Sequence, residues 1–193
     1  FTIPGVFVQD DIDVRRWLAL SLSGRLDHHS EYGWFFSPRV SALFRSGDWS
    51  TRLSAGTGFF GSTPLTEETE AAGLARLTLE GPLRVERGRS ASVDVTRTLG
   101  SVALTTTVFQ SRIANPVHVD RSTYTLRNLL APTTNLGMEF LGTFRQSPFA
   151  ITASYTYVQA REVVHGVSDD VAQTPRHSVG LVTMAENEDG RLG

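Results

Sequence analysis

Between Leu136 and Tyr157 the chain reads LGMEFLGTFRQSPFAITASYTY. Two runs of strict alternation meet there at the turn Gln146-Ser147-Pro148-Phe149. Before the turn, Leu136, Met138, Phe140, Gly142 and Phe144 share one face, opposite Gly137, Glu139, Leu141, Thr143 and Arg145. After it, Ile151, Ala153, Tyr155 and Tyr157 oppose Thr152, Ser154 and Thr156. A period of two is the signature of a strand. Two such runs joined by a short turn make an antiparallel hairpin. A soluble sandwich would turn the apolar face inward; an outer-membrane barrel would turn it to lipid and the polar face to a wet lumen. The hairpin alone is compatible with both.

The same alternation recurs along the chain. Strands are expected at 6–14, 17–29, 37–45, 49–60, 90–99, 102–113, 123–145, 149–164 and 174–185. In the second, Leu18, Leu20, Leu22 and Leu26 lie opposite Ala19, Ser21, Ser23, Arg25 and Asp27, which places a charged pair at the far end of the polar face. In the fourth, Trp49, Thr51, Leu53, Ala55, Thr57 and Phe59 oppose Ser50, Arg52, Ser54, Gly56 and Gly58. Pro132 implies a bulge or break in the long seventh strand. A short helix is expected after Thr66, a plausible N-cap followed by Glu67, Glu68 and Glu70.

The connections sort by length. Tight turns fall at 13–16, 46–48, 100, 146–148 and 186–190, and longer loops at 30–35, 61–88, 114–122 and 165–173. A transmembrane barrel has that asymmetry, with short periplasmic turns and long extracellular loops; a soluble sandwich has no reason for it. The strands also outrun the usual five or six residues of soluble sheets. The apolar runs are far shorter than the ~20 residues of a membrane helix, but barrel strands need only ~9–11 alternating residues. The net charge of −2, with 18 arginines and no lysine, predicts no general attraction to nucleic acid or anionic lipid. Cysteine is absent, which excludes disulfides and thiolate metal sites.

With this topology in place, a series of strings resembles the barrel of TonB-dependent outer-membrane receptors. Phe7-Val8-Gln9-Asp10-Asp11 resembles that family's FVQD(E) strand. Gly24-Arg25-Leu26-Asp27, with His29-Ser30 and Tyr32-Gly33, resembles its GLRYD…HS.YG stretch. Ser37-Pro38-Arg39 matches SPR, and Ser54 to Phe59 with Thr63-Pro64 and Glu67 resembles S.GTGFRAPT..E. Thr107-Val108-Phe109, Gly137-Met138-Glu139, Ser154 to Tyr157 and Thr174-Pro175-Arg176-His177 resemble its TxF, GVE, SYTY and TPRH. Phe60 and Leu26 stand where the family has Arg and Tyr. The order and spacing of these strings over nearly the whole chain carry the resemblance. It implies that residues 1–193 form part of a barrel of roughly 22 strands, and that the plug domain, the TonB-contacting segment and the remaining strands lie elsewhere. It also implies a receptor in the bacterial outer membrane that imports a scarce ligand such as a metal chelate. Its partners would be outer-membrane lipid, TonB acting through the plug, and a small ligand at the extracellular loops. The other readings are a passive porin-like or structural barrel and a soluble β-sandwich binding module.

No catalytic or metal-ligating set, and no cofactor, is expected. His28 and His29, beside Asp27 and Glu31, are adjacent on a strand and point to opposite faces, so they are poorly placed to share a metal. Glu67, Glu68 and Glu70 suit a helix N-terminus, and Asp169-Asp170 a solvated turn. His118, His165 and His177 lack HxxxH or HExxH spacing. Gly56 and Gly58 precede no phosphate-binding helix, and the serines form no GxSxG elbow. Glu139, Arg145, Arg52 and Arg25 fit a polar lumen wall. Trp17, Trp49 and Phe149 beside the tight turns, and Trp34, Phe35, Phe59 and Tyr157 near the loops, fit two interfacial aromatic girdles. Ligand contacts are expected from the loops, above all 61–88, and from lumen-facing strand ends, with no individual residue assigned.

Overall fold

A computed structural model describes residues 2–62, 78–120, 122–164, 166–172 and 174–185. Nine long strands follow one another as an antiparallel meander: β1 (Gly5–Arg15), β2 (Leu18–His29), β3 (Gly33–Ser46), β4 (Trp49–Phe60), β6 (Glu86–Leu99), β7 (Val102–Ala114), β10 (Thr133–Gln146), β11 (Phe149–Val164) and β13 (His177–Ala185). The short β12 (Val167–Asp170) turns back onto the upper end of β11, above the stretch that pairs with β13. β5 (Thr78–Leu79), β8 (Val117–Asp120) and β9 (Thr125–Asn128) make a separate three-stranded sheet. The main sheet is open: among the described residues β1 pairs only β2, and β13 only β11.

The register turns the alternation of the sequence into rows. Ile12, Leu20, Ala42, Leu53, Val93, Val108, Met138, Tyr157 and His177 are successive cross-strand partners. One residue away runs Asp13, Ala19, Leu43, Arg52, Asp94, Thr107, Glu139, Thr156 and Ser178. Direct antiparallel partners share a face, so one face is mainly apolar through the middle of the sheet and the other mainly polar. Many large apolar side chains on the first face are exposed, among them Leu22, Leu53, Val108, Leu136 and Ile151. Among the described residues the buried apolar ones are few: Phe35, Val85, Leu126, Leu129 and Ala160. A sheet that leaves its apolar face uncovered has found its solvent in lipid, and this disposes of the soluble-sandwich reading.

The tight turns hold where expected, at Gly47-Asp48, Gly100-Ser101 and Ser147-Pro148, with the first moved to Arg16-Trp17 by a register shift between Asp13 and Arg15. Gly47 and Gly100 adopt φ of 56° and 57°, the left-handed region that lets two residues reverse a hairpin. The long connections differ from expectation. β3 starts at Gly33 and β6 at Glu86, so strand pairing invades the loops placed at 30–35 and 61–88. The loops placed at 114–122 and 165–173 contain β8 and β12, and the strand expected over 123–145 is two elements, β9 and β10. The expected helix near Thr66, with Glu67, Glu68 and Glu70, and the turn 186–190 lie outside the described residues, as does His165.

Candidate functional site

The polar face is built as a ladder of short hydrogen bonds. Thr107 Oγ1 donates to Asp94 Oδ1 at 2.8 Å, the Thr96 and Thr105 hydroxyls meet at 2.8 Å, and Asn135 Nδ2 donates to Ser111 Oγ at 3.0 Å. Arg52 and Glu139 flank the first of these pairs in register, as the expectation of a polar lumen wall requires. Phe109 is one of the few apolar residues on this face, with Leu43 and Leu141, and it lies over Gly137. A Cβ at Gly137 would come within 2.5 Å of its ring and 2.6 Å of the Tyr157 carbonyl oxygen.

Toward the loop end this face tightens. Arg25 Nε donates to both carboxylate oxygens of Asp27, at 2.8 and 2.9 Å. Asp27 is buried although Arg25 is exposed, so an exposed arm neutralises a buried charge. The sequence places this pair correctly. His28 and His29 part as expected: the His28 ring packs on Trp34, whereas His29 is buried beside Tyr32 and accepts the Glu31 backbone N–H. Above Arg39–Gly56 the β3–β4 ladder stops. There Phe35 and Phe59 stack at 4.0 Å, with the Arg87 guanidinium 5.3 Å from the Phe35 ring. Phe35 is buried, so it does not belong to the upper girdle; Trp34, expected there, is exposed, as is Phe36 on the same face. Near the tight turns, Trp17 stacks on Phe44, Arg97 lies over Trp49, and Phe149 is exposed, which fits the lower girdle.

Described parts of the loop connections are themselves folded. β8 and β9 form a hairpin, and β5 adds to it in parallel, so the 61–85 connection is pinned to the 115–132 connection. Asn128 is the pin: its Oδ1 accepts from Arg84 N–H at 2.6 Å, and its Nδ2 donates to the carbonyls of Arg84 and Asn115. The Glu86 carboxylate accepts the Val117 N–H at 2.6 Å, and Leu126, Leu129 and Val85 supply a small buried core. The β8–β9 turn is capped by Asp120, which accepts from the Ser122 hydroxyl and from the backbone N–H groups of Ser122 and Thr123. The Ser122 hydroxyl bond first, then its backbone bond, lowers the Asp120 carboxyl to about 2. His118 reaches Glu162 of the wall at 3.3 Å, whereas His177 stacks against Tyr155 and Tyr157 on the opposite, apolar face. Asp170 pairs with Arg176, and Asp169 caps its neighbour's N–H. Among the described residues no three metal-capable side chains gather.

An apolar outer face, a polar inner one, tight turns at one end and a folded platform at the other define a length of outer-membrane β-barrel wall. The family model for the β-barrel of TonB-dependent receptor-like proteins matches residues 1–193, and the chain belongs to that family. Members are receptors and transporters of the bacterial outer membrane rather than enzymes. Comparison with curated proteins gives no match. Among solved structures, the chain is similar to the ferripyoverdine receptor of the Pseudomonas aeruginosa outer membrane, with TM-score 0.71 and 16% identity over 96% of this chain and 26% of that one. It is similar also to the siderophore receptor PirA from Acinetobacter baumannii, with TM-score 0.71 and 14% identity over 94% of this chain and 31% of that one. The ferric-catecholate import receptor Fiu of E. coli gives TM-score 0.68 and 13% identity over 97% of this chain and 32% of that one. The chain therefore spans about a quarter to a third of the length of these receptors.

Proposed function

We propose that the chain forms part of the wall and extracellular platform of a receptor that imports a scarce ligand of the metal-chelate kind. The energy would come from TonB acting on a part of the receptor outside this chain. The observation that carries this reading is the continuous polar inner row through Arg52, Asp94, Thr107, Glu139 and Thr156 in a barrel of this family. Such a face keeps a passage wet and offers hydrogen bonds without a fixed catalytic geometry. Three solved neighbours are a ferripyoverdine receptor, a siderophore receptor and a ferric-catecholate import receptor, which supports a ferric chelate as the ligand class. Ligand contact is assigned to the platform and the upper strand ends, where the connection 61–88 leaves and re-enters the wall.

The test is uptake of labelled ferric chelates by iron-starved cells carrying or lacking the full-length gene, in backgrounds with and without TonB. Uptake that requires both the gene and TonB supports the proposal. Uptake that needs the gene but not TonB, with ohmic conductance of the purified protein in planar bilayers, would replace it with the passive-channel reading.

A further inference from the structure

On the lipid-facing side, the outward residues of β6 run Val95, Val93, Ala91, Arg89, and those of β7 run Thr106, Val108, Gln110, Arg112. Both strands thus change from apolar to cationic at the same level. Arg89 and Arg112 are direct cross-strand partners, and both are exposed. Like charges placed opposite one another repel, and among the described residues neither arginine has an acidic partner. The contrast lies in the same row, where Arg161 is in register with Asp170. Along their strands, Arg89 and Arg112 stand about 11 residues from the Gly100 turn, and ~9–11 tilted residues cross the hydrocarbon core. They therefore emerge at headgroup depth, on the side away from the tight turns.

Directly beside them on the same face is a groove of about 900 Å³. It exists because Ala55 and Ala91 are small where Leu22 and Val40, in the same row, are large; Phe36 forms a wall. Phe36 lies within about 3 Å of where a Cβ on Gly24 would stand, so that glycine makes room for the ring. The groove is mostly apolar; the two arginines close one end, and Asp10, in register with Leu22, stands at the opposite end, away from them.

We propose that Arg89 and Arg112 hold the phosphate of an outer-leaflet lipid whose acyl chain lies in the Leu22–Val40–Ala55–Ala91 groove. The apolar floor suits hydrocarbon, and only an anion relieves the repulsion of the facing guanidinium groups, which bind phosphate bidentately. A free phosphate shares the headgroup chemistry but makes no use of the groove, so the occupant is a lipid.

The test uses the full-length receptor carrying this chain, purified in detergent and titrated with bisphosphorylated lipid A, dephosphorylated lipid A or inorganic phosphate, and read by native mass spectrometry. Wild type is expected to bind the phosphorylated lipid preferentially, and millimolar inorganic phosphate is expected not to displace it. The R89A/R112A variant should bind about thirtyfold more weakly, while R97A, at the other rim, should match wild type. Equal binding of the two lipid A forms by wild type overturns the proposal without recourse to any variant. Displacement by inorganic phosphate reduces the site to an anion site and overturns the lipid assignment. Unchanged affinity in R89A/R112A, with heat-modifiable gel mobility showing an intact barrel, overturns the role of the arginines.

Discussion

Gly137 and Gly142 lie on the same strand but on opposite faces, and the room around them differs. A methyl group at Gly137 would press on the Phe109 ring and on the Tyr157 backbone carbonyl, which has no room to move within a paired ladder. At Gly142 the nearest atom is a Leu104 methyl at 3.5 Å, ordinary contact. Gly137→Ala should therefore destabilise the full-length barrel by about 1–3 kcal/mol, the usual cost of overpacking. Gly142→Ala should change it by less than about 0.5 kcal/mol, as surface substitutions do. Urea unfolding of the refolded protein in lipid vesicles, followed by tryptophan fluorescence, measures both. Equal shifts for the two would remove the packing argument. Phe35 carries a related lesson. Trp34, Phe35 and Phe36 are consecutive, and three neighbours on a strand cannot share one face. The alternation already contained the signal that Phe35 could not stand in a girdle beside Trp34. What it did not contain was the partner, because the Phe35–Phe59 stack depends on where the β3–β4 ladder stops.

At the level of elements, the wall strands were legible because each obeys the two-residue period, and the turns at Gly47-Asp48, Gly100-Ser101 and Ser147-Pro148 because Gly, Pro and Asp mark them; the unmarked turn at Arg16-Trp17 lies beyond its expected place. The platform was not legible as a separate sheet. Val117-His118-Val119-Asp120 alternates just as a wall strand does, and period alone does not say which ladder a strand joins. Pro116 and Pro132 bracket the β8–β9 hairpin, and residues that cannot donate to a ladder are a natural place to leave it. The parallel β5–β9 pairing is a long-range contact with no local mark. The hairpin also carries a pH dependence. The Asp120 carboxyl sits at about 2 in the folded turn, below the ~3.9 of a free aspartate. A group held below its unfolded value stabilises the turn above that value and loses the contribution as pH falls through its folded one. The turn should accordingly loosen between about pH 4 and about pH 2. Pepsin, active across that window, should cut near Tyr124 increasingly as pH falls, whereas D120N, which keeps an acceptor but does not titrate there, should be cut with no added pH dependence once pepsin's own profile is divided out. Matching profiles for wild type and D120N would show that the Ser122 and Thr123 contacts contribute nothing to the turn.

For the whole molecule, the decisive quantity is surface rather than core. An ordinary domain of this length would bury most of its large apolar residues. Here Val6, Phe7, Val8, Leu53, Leu104, Phe140, Leu181 and Met184 are all exposed, and every residue of β1 is open to solvent. Two long edge strands present unpaired N–H and C=O groups at either side of that apolar face. Bare edges beside a greasy sheet are a template for strand addition by another copy. In the full barrel both edges find neighbours and lipid covers the face; in the excised chain neither happens. Residues 1–193 expressed alone should therefore form large assemblies in detergent-free buffer, and should regain a strand-rich circular dichroism spectrum as small particles only in detergent micelles. Light scattering coupled to size-exclusion chromatography, with and without detergent, separates these states. A monodisperse, detergent-free monomer with a cooperative melt would mean that the apolar rows find cover within the chain itself, by the sheet folding over them, and the open-wall account of this segment would then fail at its foundation.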